Sequence, residues 1–548
     1  MSGDRGWQPP RPTTPDAPWE ARHRPPGPAA EPSESPSETV PPPTATRPPR
    51  GGALGRRWHR ASRGRRVGLA TVVLAVATTL IAALCVPGQP RYGAASAWQG
   101  IDFVDLRAAP STDGWRLDLA STLAPGAPPE CLRYRSETVA PGLALVRAAG
   151  AWTYGFANDG DCGAATKGVG TRVALLDVRL GRIVWLHDVG DDLRDAGLTG
   201  TVAVTDMTAL RDERSADETP GPTDRVVVRA TAGARGLLLA LDRTTGRTVS
   251  TSGPLTVHDS DQFQSVGDVV ATGYRPPGGG PYRYELRAVD DLSTIVWSGT
   301  GTTTGVALAL ADRLVVAQPS GTVQIDVRTG RSTAWGTRLD VLIGYTVHHG
   351  LVIAPRGPEP TSGSTAGVEA LDADGRTVWT STVDVRGAYS ATRACLVVTD
   401  ITAREVTCLD YATGESRWSR SLPSFTSADG LTGQTDDTVY ALSQSSNGGL
   451  TELRALSGGS GGELFRSSLP DGSVLVAAGR TVGYALAYGT SGGRSQLIAF
   501  DLDDGRRLWS HTAELQAYAW AGRLVDIDVS GVARELTAPE ARVVGSDD

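Results

Sequence analysis

The feature that most constrains the fold is a pattern that recurs about every 46 residues: an apolar strand segment, Asp, a turn with Gly, then Trp. The clearest copies are VTCLDYATGESRW (406–418) and IAFDLDDGRRLW (498–509). The Asp position is held by Asp177, Asp242, Asp290, Asp326, Asp372, Asp410 and Asp501, and in the seventh of the eight copies by Leu456. This period suits four short strands and their turns, and it therefore predicts β-propeller blades.

Each residue type of the pattern has a structural role in such a blade. Asp at a strand end can accept hydrogen bonds from backbone N–H groups in a turn, and Gly supplies positive φ. Trp on the returning outer strand can bury roughly 150–250 Å² against a neighbouring blade. We expect blade packing from Asp177, Trp185, Trp297, Asp326, Trp335, Asp372, Trp379, Asp410, Gly414, Trp418, Asp501, Gly505 and Trp509.

The pattern A-x-D-x-x-T-G-x-x-x-W resembles the pyrroloquinoline-quinone-like (PQQ-like) propeller repeat, over about residues 130–512. The resemblance implies an all-β propeller. The segment GWRLDLAS (114–121) reads as an isolated outer strand that would pair with C-terminal strands and close the ring. A literal count gives nine blades. Because the family usually forms eight and the unit near 198–250 reads as irregular, we expect eight four-stranded blades within residues 113–541.

The N-terminal region predicts a tail and a membrane anchor. Residues 1–66 hold 15 of the 35 prolines and 12 Arg, a composition typical of disorder. Residues 67–86 carry no charge and are long enough to span a bilayer as a helix. Six Arg in 56–66 place the N-terminus in the cytoplasm and the propeller outside the cell membrane. The alternative is a signal peptide cleaved after Ala97. Residues 87–112 are then a linker and 542–548 a C-terminal tail.

Charge and cysteine usage agree with an extracytoplasmic domain that does not bind nucleic acid. The chain after residue 86 has a net charge of about −13, which repels phosphate. Cys395 and Cys408 flank a short hairpin connection and can pair across it, which leaves Cys131 and Cys162 as the second disulfide. Disulfides persist in oxidising compartments.

No metal site is expected from the sequence. It has no C-x-x-C, and adjacent strand residues such as His348 and His349 point to opposite faces. The stretches DADG (372–375) and DLDDG (501–505) lack the further ligands of a Ca²⁺ loop and read as turns of the repeat.

The resemblance raises an enzymatic alternative. It implies that quinone-dependent relatives hold the quinone over the channel with Ca²⁺, a catalytic Asp and often a disulfide of adjacent cysteines. This chain has no Cys-Cys pair, and none of its residues matches a cofactor position, so we assign no catalytic, cofactor or metal residue and expect no cofactor.

We expect a binding or scaffold module for a protein or cell-envelope ligand. The alternatives are a PQQ-dependent oxidoreductase and a transmembrane sensor. The insertion RDERSADETPGPTD (211–224) is either a binding loop or a solvated loop.

Overall fold

The structure is a computed structural model, and part of the chain is described by it. The described residues are 103–150, 162, 170–212, 221–256, 262–274, 276, 280–301, 307–310, 312–336, 346–348, 351–356, 367–383, 389–391, 395–400, 403–422, 427–429, 438–444, 450–487 and 495–539. The predicted tails 1–66 and 542–548 and the predicted span 67–86 lie outside them. Over the described ranges, no helix combines the length and apolarity needed to cross a membrane.

The described strands form nine antiparallel sheets, so the prediction of eight blades is wrong. Blade 1 joins β1 (Arg116–Asp118) to β35 (Gln516–Trp520), β36 (Arg523–Ile527) and β37 (Val532–Glu535). Blade 2 holds β2 (Leu132–Ala140), β3 (Leu143–Gly150), β4 (Arg172–Asp177) and β5 (Arg182–Asp188). Blade 3 holds β6 (Val202–Asp212), β7 (Gly221–Ala232), β8 (Arg235–Asp242), β9 (Thr248–Thr251) and β10 (Leu255–Thr256).

Blades 4 to 9 each consist of four consecutive strands. Blade 4 holds β11 (Gln262–Val266), β12 (Val269–Tyr274), β13 (Arg283–Ala288) and β14 (Ile295–Thr300), and blade 5 holds β15 (Ala307–Leu310), β16 (Arg313–Gln318), β17 (Gly321–Asp326) and β18 (Ser332–Ala334). Blade 6 holds β19 (Thr346–His348), β20 (Leu351–Pro355), β21 (Val368–Leu371) and β22 (Thr377–Ser381), and blade 7 holds β23 (Tyr389–Ala391), β24 (Leu396–Asp400), β25 (Glu405–Leu409) and β26 (Ser416–Ser421). Blade 8 holds β27 (Ser427–Asp429), β28 (Thr438–Gln444), β29 (Leu450–Ser457) and β30 (Glu463–Pro470), and blade 9 holds β31 (Ser473–Ala478), β32 (Val482–Ala487), β33 (Gln496–Asp501) and β34 (Arg507–Thr512).

The unit that the sequence marked as irregular is a blade in its own right. Its outer strand is broken: β9 and β10 pair separately with β8, on either side of the segment 252–254. Ser250 also stands where other outer strands carry Trp. The missing Trp and the broken strand explain why the sequence pattern was weak here although the sheet is present.

The apolar core is divided among the junctions between blades. Each of nine buried clusters contains residues from two adjacent blades, including one that joins blade 9 to blade 1. The side chains of successive strand residues pack in opposite junctions: Val352 and Ala354 face blade 5, whereas Ile353 faces blade 7. Because both faces of a blade are buried, the middle strands read as continuous apolar runs.

Short helices flank blade 2 on either side of its described strands. Helix α1 (Leu119–Leu123) follows β1, and the Asp118 side chain caps it by accepting from the Ser121 N–H. Helix α2 (Val189–Asp195) follows β5, with Asp188 as its cap. A single 3₁₀ turn, Pro129–Cys131, precedes β2.

The outer edge of the ring carries a recurrent β-bulge. In seven blades the register between the third strand and the outer strand shifts just before the aromatic position. Such bulges twist an edge strand and hinder its pairing with other chains.

The ring closes through both chain ends. As expected from GWRLDLAS, β1 pairs with β37, with Leu117 opposite Ala533. Residues 103–107, which we call the N-terminal strap, also pack onto the ring. The Leu106 N–H donates to the Tyr484 hydroxyl (2.8 Å), and the Thr481 N–H donates to the Asp105 carboxylate (3.1 Å).

Candidate functional site

A Trp indole crosses from one blade to the next at five junctions. Its Nε1–H donates to the carbonyl of the residue that follows the repeat Asp or its substitute. The pairs are Trp115–Val178 (2.7 Å), Trp185–Arg243 (2.7 Å), Trp335–Ala373 (3.0 Å), Trp379–Tyr411 (2.7 Å) and Trp418–Gly458 (2.8 Å). The indole therefore bonds the neighbouring blade as well as packing on it.

The aromatic ring lies directly over the turn glycine of that neighbouring blade. The pairs are Trp115–Gly181, Trp185–Gly246, Trp335–Gly375, Trp379–Gly414, Trp418–Gly461 and Phe465–Gly505. These glycines have φ between 61° and 77°, and a Cβ on any of them would collide with the ring. Glycine is thus required here twice, for its backbone conformation and for the close approach of the ring.

The repeat Asp side chains are bound by their own turns. Asp410 Oδ1 accepts from the N–H groups of Ala412 (2.8 Å) and Thr413 (3.1 Å). Asp177, Asp242 and Asp326 make the same bonds, Asp372 accepts from the second and fourth residues after it, and Asp501 accepts from Asp503. The Arg417 guanidinium and the Ala412 N–H hold the pKa of Asp410 below its ordinary value.

Two assignments of the Asp position are corrected by the structure. In the seventh copy, Ser457 and not Leu456 begins the turn, since the Gly461 N–H donates to the Ser457 carbonyl (2.7 Å). In the third copy the strand register places Ala288 at this position, and Asp291 Oδ1 accepts from the Ser293 N–H within a longer turn, whereas Asp290 is 91% exposed. The first error is a one-residue slip and the second follows from the longer turn, and the letters of the repeat could resolve neither.

Trp297 and Trp509 depart from the common arrangement. At the blade 4–5 junction, Gly330 lies against the carbonyl of Val296, and Trp297 is only half-buried. Trp509 is buried, but its Nε1–H donates to Leu106 of the strap (2.5 Å), because blade 1 has a chain break where other blades have the Asp–Gly turn. The strap thus supplies the carbonyl that a turn supplies elsewhere.

Both predicted disulfides are present. Cys395–Cys408 is fully buried at the junction of blades 7 and 8, in the same cluster as Trp418. Cys131–Cys162 ties the start of β2 to a position in the long connection between β3 and β4. The remainder of that connection, with Asp159 and Asp161, lies outside the described residues, as does His349.

A polar cluster links the first strands of blades 2, 3 and 4. Glu137 Oε1 on β2 accepts from the Ala209 N–H (2.8 Å) and the Thr208 hydroxyl (3.2 Å) on β6. The Thr208 hydroxyl in turn hydrogen-bonds the Ser265 hydroxyl on β11 (3.1 Å). The first strands of these adjacent blades lie against one another, so the cluster belongs to the inner side of the ring.

Arginines fix the bulged part of β6 beside that cluster. The Arg147 guanidinium donates to the carbonyls of Val204 (2.8 Å) and Thr205 (2.7 Å), at a register shift between β6 and β7. Arg229 bonds Asp206 and lies over the Phe263 ring, 5.8 Å from its centroid. Burial lowers the pKa of the Arg147 guanidinium, and the positive charges of the neighbouring arginines lower this pKa further.

The hairpin of β6 and β7 projects beyond the rest of blade 3. β6 and β7 pair as far as Asp212 and Gly221. β7 pairs with β8 only from Arg225, which lies opposite Asp242, so residues 221–224 extend past the third strand. At about 3.3 Å per residue the projection is roughly 13 Å. Six residues of the insertion, 211–212 and 221–224, therefore extend the two strands, and its tip, 213–220, lies outside the described residues.

Comparison with known families identifies the repeat type. A family profile described as "Outer membrane protein assembly factor BamB" matches residues 364–535, which run from β21 to β37. Together with the Asp–Gly–Trp geometry above, this match decides the repeat. The matched part of the ring, residues 364–535, is built of PQQ-like repeats. Comparison with curated proteins gives no match.

Solved structures with a similar chain path are distant from this PQQ-like propeller. BamB from Moraxella catarrhalis is 13% identical, with a TM-score of 0.38, over 77% of this chain and 98% of that chain. Quinohemoprotein alcohol dehydrogenase from Comamonas testosteroni is 12% identical, with a TM-score of 0.36, over 83% of each chain. Sqt1 from Saccharomyces cerevisiae is 12% identical, with a TM-score of 0.35, over 79% and 100%. Nothing about activity or partners follows from likeness at this level.

The described residues do not fit a quinone and Ca²⁺ site. Among the described residues, no three His, Cys, Asp or Glu side chains are grouped so that they could hold a metal ion. The disulfides join cysteines that are 13 and 31 residues apart, and the first of them is sealed between two blades.

Proposed function

We propose that this PQQ-like propeller is a membrane-anchored, extracytoplasmic binding platform for a protein of the cell envelope. The single observation that carries the proposal is the projecting β6–β7 hairpin, which extends past the third strand of its blade and offers a strand pair for a partner to contact. The insertion 211–224 that it includes holds five acidic and two basic residues, so a partner with a basic surface suits it.

Two further features support the extracytoplasmic location. Residues 67–86 have the length and apolarity of a membrane span and follow an Arg-rich segment. Both disulfides lie in the propeller, and disulfides form in oxidising compartments. The matched family profile describes an outer membrane assembly factor, which agrees with a role in the envelope.

The repeat residues support a platform rather than a catalyst. Their carboxylates are bound within turns, and their indoles are bound across junctions. These groups are therefore committed to holding the ring rigid, and a rigid ring is a suitable base for loops that bind a partner.

Proximity labelling in the native membrane tests the proposal. A biotin ligase is fused to the C-terminus of the full chain, and the labelled proteins are compared with those of a variant in which 211–222 is replaced by an Asn-Gly turn. A matched control shortens the connection 445–449 between β28 and β29. We expect envelope proteins to be labelled, and at least one to be lost only with the β6–β7 hairpin. A cytoplasmic set of labelled proteins, or one that the hairpin variant leaves unchanged, would contradict the proposal.

A second assay addresses the oxidoreductase alternative. The full chain is incubated with pyrroloquinoline quinone and Ca²⁺, and dye reduction is followed with alcohols and sugars. We expect no saturable turnover. Saturable turnover would contradict the platform proposal in favour of an oxidoreductase, whatever the labelling experiment shows.

A further inference from the structure

The hydrogen-bond acceptor of Trp509 belongs to a segment that lies outside any sheet. At five other junctions the acceptor is a turn carbonyl of the neighbouring blade, so it cannot leave unless that blade unfolds. The Trp509 indole instead donates to Leu106 of the strap (2.5 Å), and residues 103–110 contain neither strand nor helix. A short segment of the chain is thus seated between blades 9 and 1. We call this site the strap groove, and it is lined by Gly479, Tyr484, Trp509 and Gly522.

Two apolar side chains anchor the strap in the groove. Phe103 and Leu106 are 7% and 6% exposed, and both pack in the apolar cluster that joins blades 9 and 1. The side chains around them are accessible, since Val104 is half-buried and Asp105 and Arg107 are exposed. A few buried anchors carry most of the affinity where one protein segment binds another, and the strap has this form.

The groove also binds the main chain of the strap. The Tyr484 hydroxyl accepts from the Leu106 N–H (2.8 Å) and donates to the Val104 carbonyl (2.5 Å). The Val104 N–H donates to the Gly522 carbonyl of blade 1 (3.2 Å). Both blades therefore hold the backbone of the segment, and such main-chain bonds contribute affinity that does not depend on its sequence.

Two charged contacts depend on the sequence of the segment. The Asp105 carboxylate accepts from the N–H groups of Thr481 (3.1 Å) and Val482 (3.2 Å), in the turn between β31 and β32. Arg107 forms an ion pair with Asp501, the repeat carboxylate of blade 9. Hydrogen bonds of this charge-assisted kind are stronger than neutral ones. The groove thus fits a segment with the pattern F-x-D-L-R.

Glycine at position 479 leaves room for this segment. A Cβ there would collide with Asp105 Oδ1 and would lie 2.8 Å from the Phe103 carbonyl oxygen. Gly479 has no positive φ, so the close approach of the strap accounts for the glycine and its backbone conformation does not. Gly479→Ala therefore narrows the groove without straining the turn.

The strap can leave the groove while the ring stays closed. Beyond the strap, the Ser111 N–H donates to the Thr537 carbonyl (2.9 Å), and β1 pairs with β37. These contacts keep blade 1 complete, so a segment with the same pattern can replace the strap without the loss of any sheet. The strap of a second copy suits this role less, because three residues, 108–110, separate it from the Ser111 bond to its own ring.

We propose that the strap groove is a peptide-binding site for a segment of a partner protein with the pattern F-x-D-L-R, and that the strap occupies it as an intramolecular competitor. The tethered strap has a high effective concentration, so it lowers the apparent affinity of the groove for any outside segment. The groove lies at a different junction from the β6–β7 hairpin, and failure of this proposal leaves the platform proposal untouched.

Binding of an acetylated strap peptide, FVDLRAA (103–109), to the full chain in mild detergent tests the site by fluorescence anisotropy. The strap is released in the variant Phe103→Asp with Leu106→Asp. We expect saturable binding to this variant, at least about tenfold tighter than to the natural chain. The peptide should also raise the melting temperature of the variant. A peptide that carries Asp105→Asn and Arg107→Ala should bind at least about tenfold more weakly.

Two glycine substitutions in the released variant test the location of the site. Gly479→Ala should weaken peptide binding at least about tenfold, because a Cβ enters the groove. Gly253→Ala is the matched control, since a Cβ at Gly253 meets nothing within 4 Å and its φ is not positive either, and it should leave binding unchanged. Equal binding by the two glycine variants would place the peptide elsewhere and overturn the proposal.

Melting temperatures verify that each variant is folded. If the double Asp substitution does not fold, Asp105→Ala with Arg107→Ala releases the strap through its exposed contacts alone and takes its place in the same titration. A folded released variant that does not bind the peptide would overturn the proposal. A natural chain that dimerises with concentration, when the released variant does not, would assign the groove to the strap of a second copy and would likewise overturn it.

Discussion

The Ser250 hydroxyl accepts a hydrogen bond from the Leu292 backbone N–H, 2.7 Å away, at the junction of blades 3 and 4. Five other junctions place a Trp of one blade over a Gly of the next at this point. Here the blade that lacks the Trp meets the blade that lacks the Gly, and the fully buried Leu292 packs in the apolar cluster of the junction. The two departures from the repeat therefore compensate for each other.

This compensation predicts strong coupling between the two positions. Ser250→Trp alone should overpack against Leu292 and cost about 1–3 kcal/mol of unfolding free energy. Leu292→Gly alone should leave a cavity and cost about 2–5 kcal/mol. The double substitution makes room for the indole and should cost less than the sum by at least about 1 kcal/mol, measured by urea unfolding. Additive losses would show that the two residues are independent.

Replacing a turn glycine by alanine should cost more stability where a Cβ would collide with an aromatic ring than where only backbone strain opposes it. Gly414 and Gly233 have φ of 70° and 65°, but a Cβ would strike the Trp379 ring at Gly414 and meet nothing within 4 Å at Gly233. Gly233→Ala should cost about 1–2 kcal/mol from backbone strain. Gly414→Ala should cost about 1–3 kcal/mol more, because the ring must move. Equal losses of stability for the two variants in thermal unfolding would show that the collision with the Trp379 ring does not contribute.

Two substitutions of Trp418 measure separately the contributions of indole packing and of the indole hydrogen bond to stability. Trp418→Ala removes a buried ring and should lower the unfolding free energy by about 3–5 kcal/mol. Trp418→Phe keeps an aromatic ring, as Phe465 does in the next blade, and loses the bond to the Gly458 carbonyl, for about 1 kcal/mol. An alanine variant with unchanged stability but altered partner labelling would favour a binding role for this residue.

Asp192 predicts a dependence of stability on acid. Burial raises the pKa of Asp192, but hydrogen bonds from His187 (2.7 Å) and Thr248 (2.8 Å) outweigh it, and the pKa lies below its ordinary value of 3.8. A lowered pKa stabilises the fold above the unfolded pKa, and this contribution is lost as the pH falls through the folded value. The stability difference between the natural chain and Asp192→Asn should be constant above about pH 5 and should vanish in stronger acid.

The control for this pH series lies on the same helix. Asp195 is exposed, and Asp195→Asn should change the melting temperature little at any pH. A difference for Asp192→Asn that grows as the pH falls would reverse the sign and contradict the assignment.

The two disulfides should differ in their access to reductant. Cys395 and Cys408 are fully buried between blades, whereas Cys162 is half-buried. Under native conditions Cys131–Cys162 should be reduced first, as followed by alkylation and mass spectrometry. Simultaneous reduction would indicate that blades 7 and 8 separate as readily as the surface opens.

The sequence predicted the repeat because its chemistry is local. An Asp that accepts from N–H groups two to four residues later, and a Gly with positive φ, leave a mark within five residues, so Asp410 and Gly414 could be recognised. The disulfide Cys395–Cys408 spans a single hairpin and was equally readable.

What the sequence did not predict depends on contacts between blades. The role of Leu292 cannot be recognised in the repeat, because it depends on Ser250 of the neighbouring blade. Blade 3 was therefore treated as an irregular unit, and eight blades were expected in place of nine. The hydrogen bond from Trp509 to Leu106 of the strap could likewise not be predicted, because the two residues are 403 positions apart in the sequence. Gly461 was missed because the Gly-rich stretch SGGSGG offers several equivalent registers.

The strap and β1 also set the order in which the ring can be completed. Residues 103–118 emerge early in synthesis, yet their partners at Tyr484, Trp509 and β37 come last. Joining ends that are 403 residues apart costs about 5 kcal/mol of loop-closure entropy, which the strap contacts and β1 must offset together. Until the final strand is made, blades 2 to 9 form an open arc with an unsealed junction at each end. Completion of the ring therefore depends on the last fourteen strand residues, those of β35, β36 and β37, and a premature stop there leaves every earlier blade intact and the ring open.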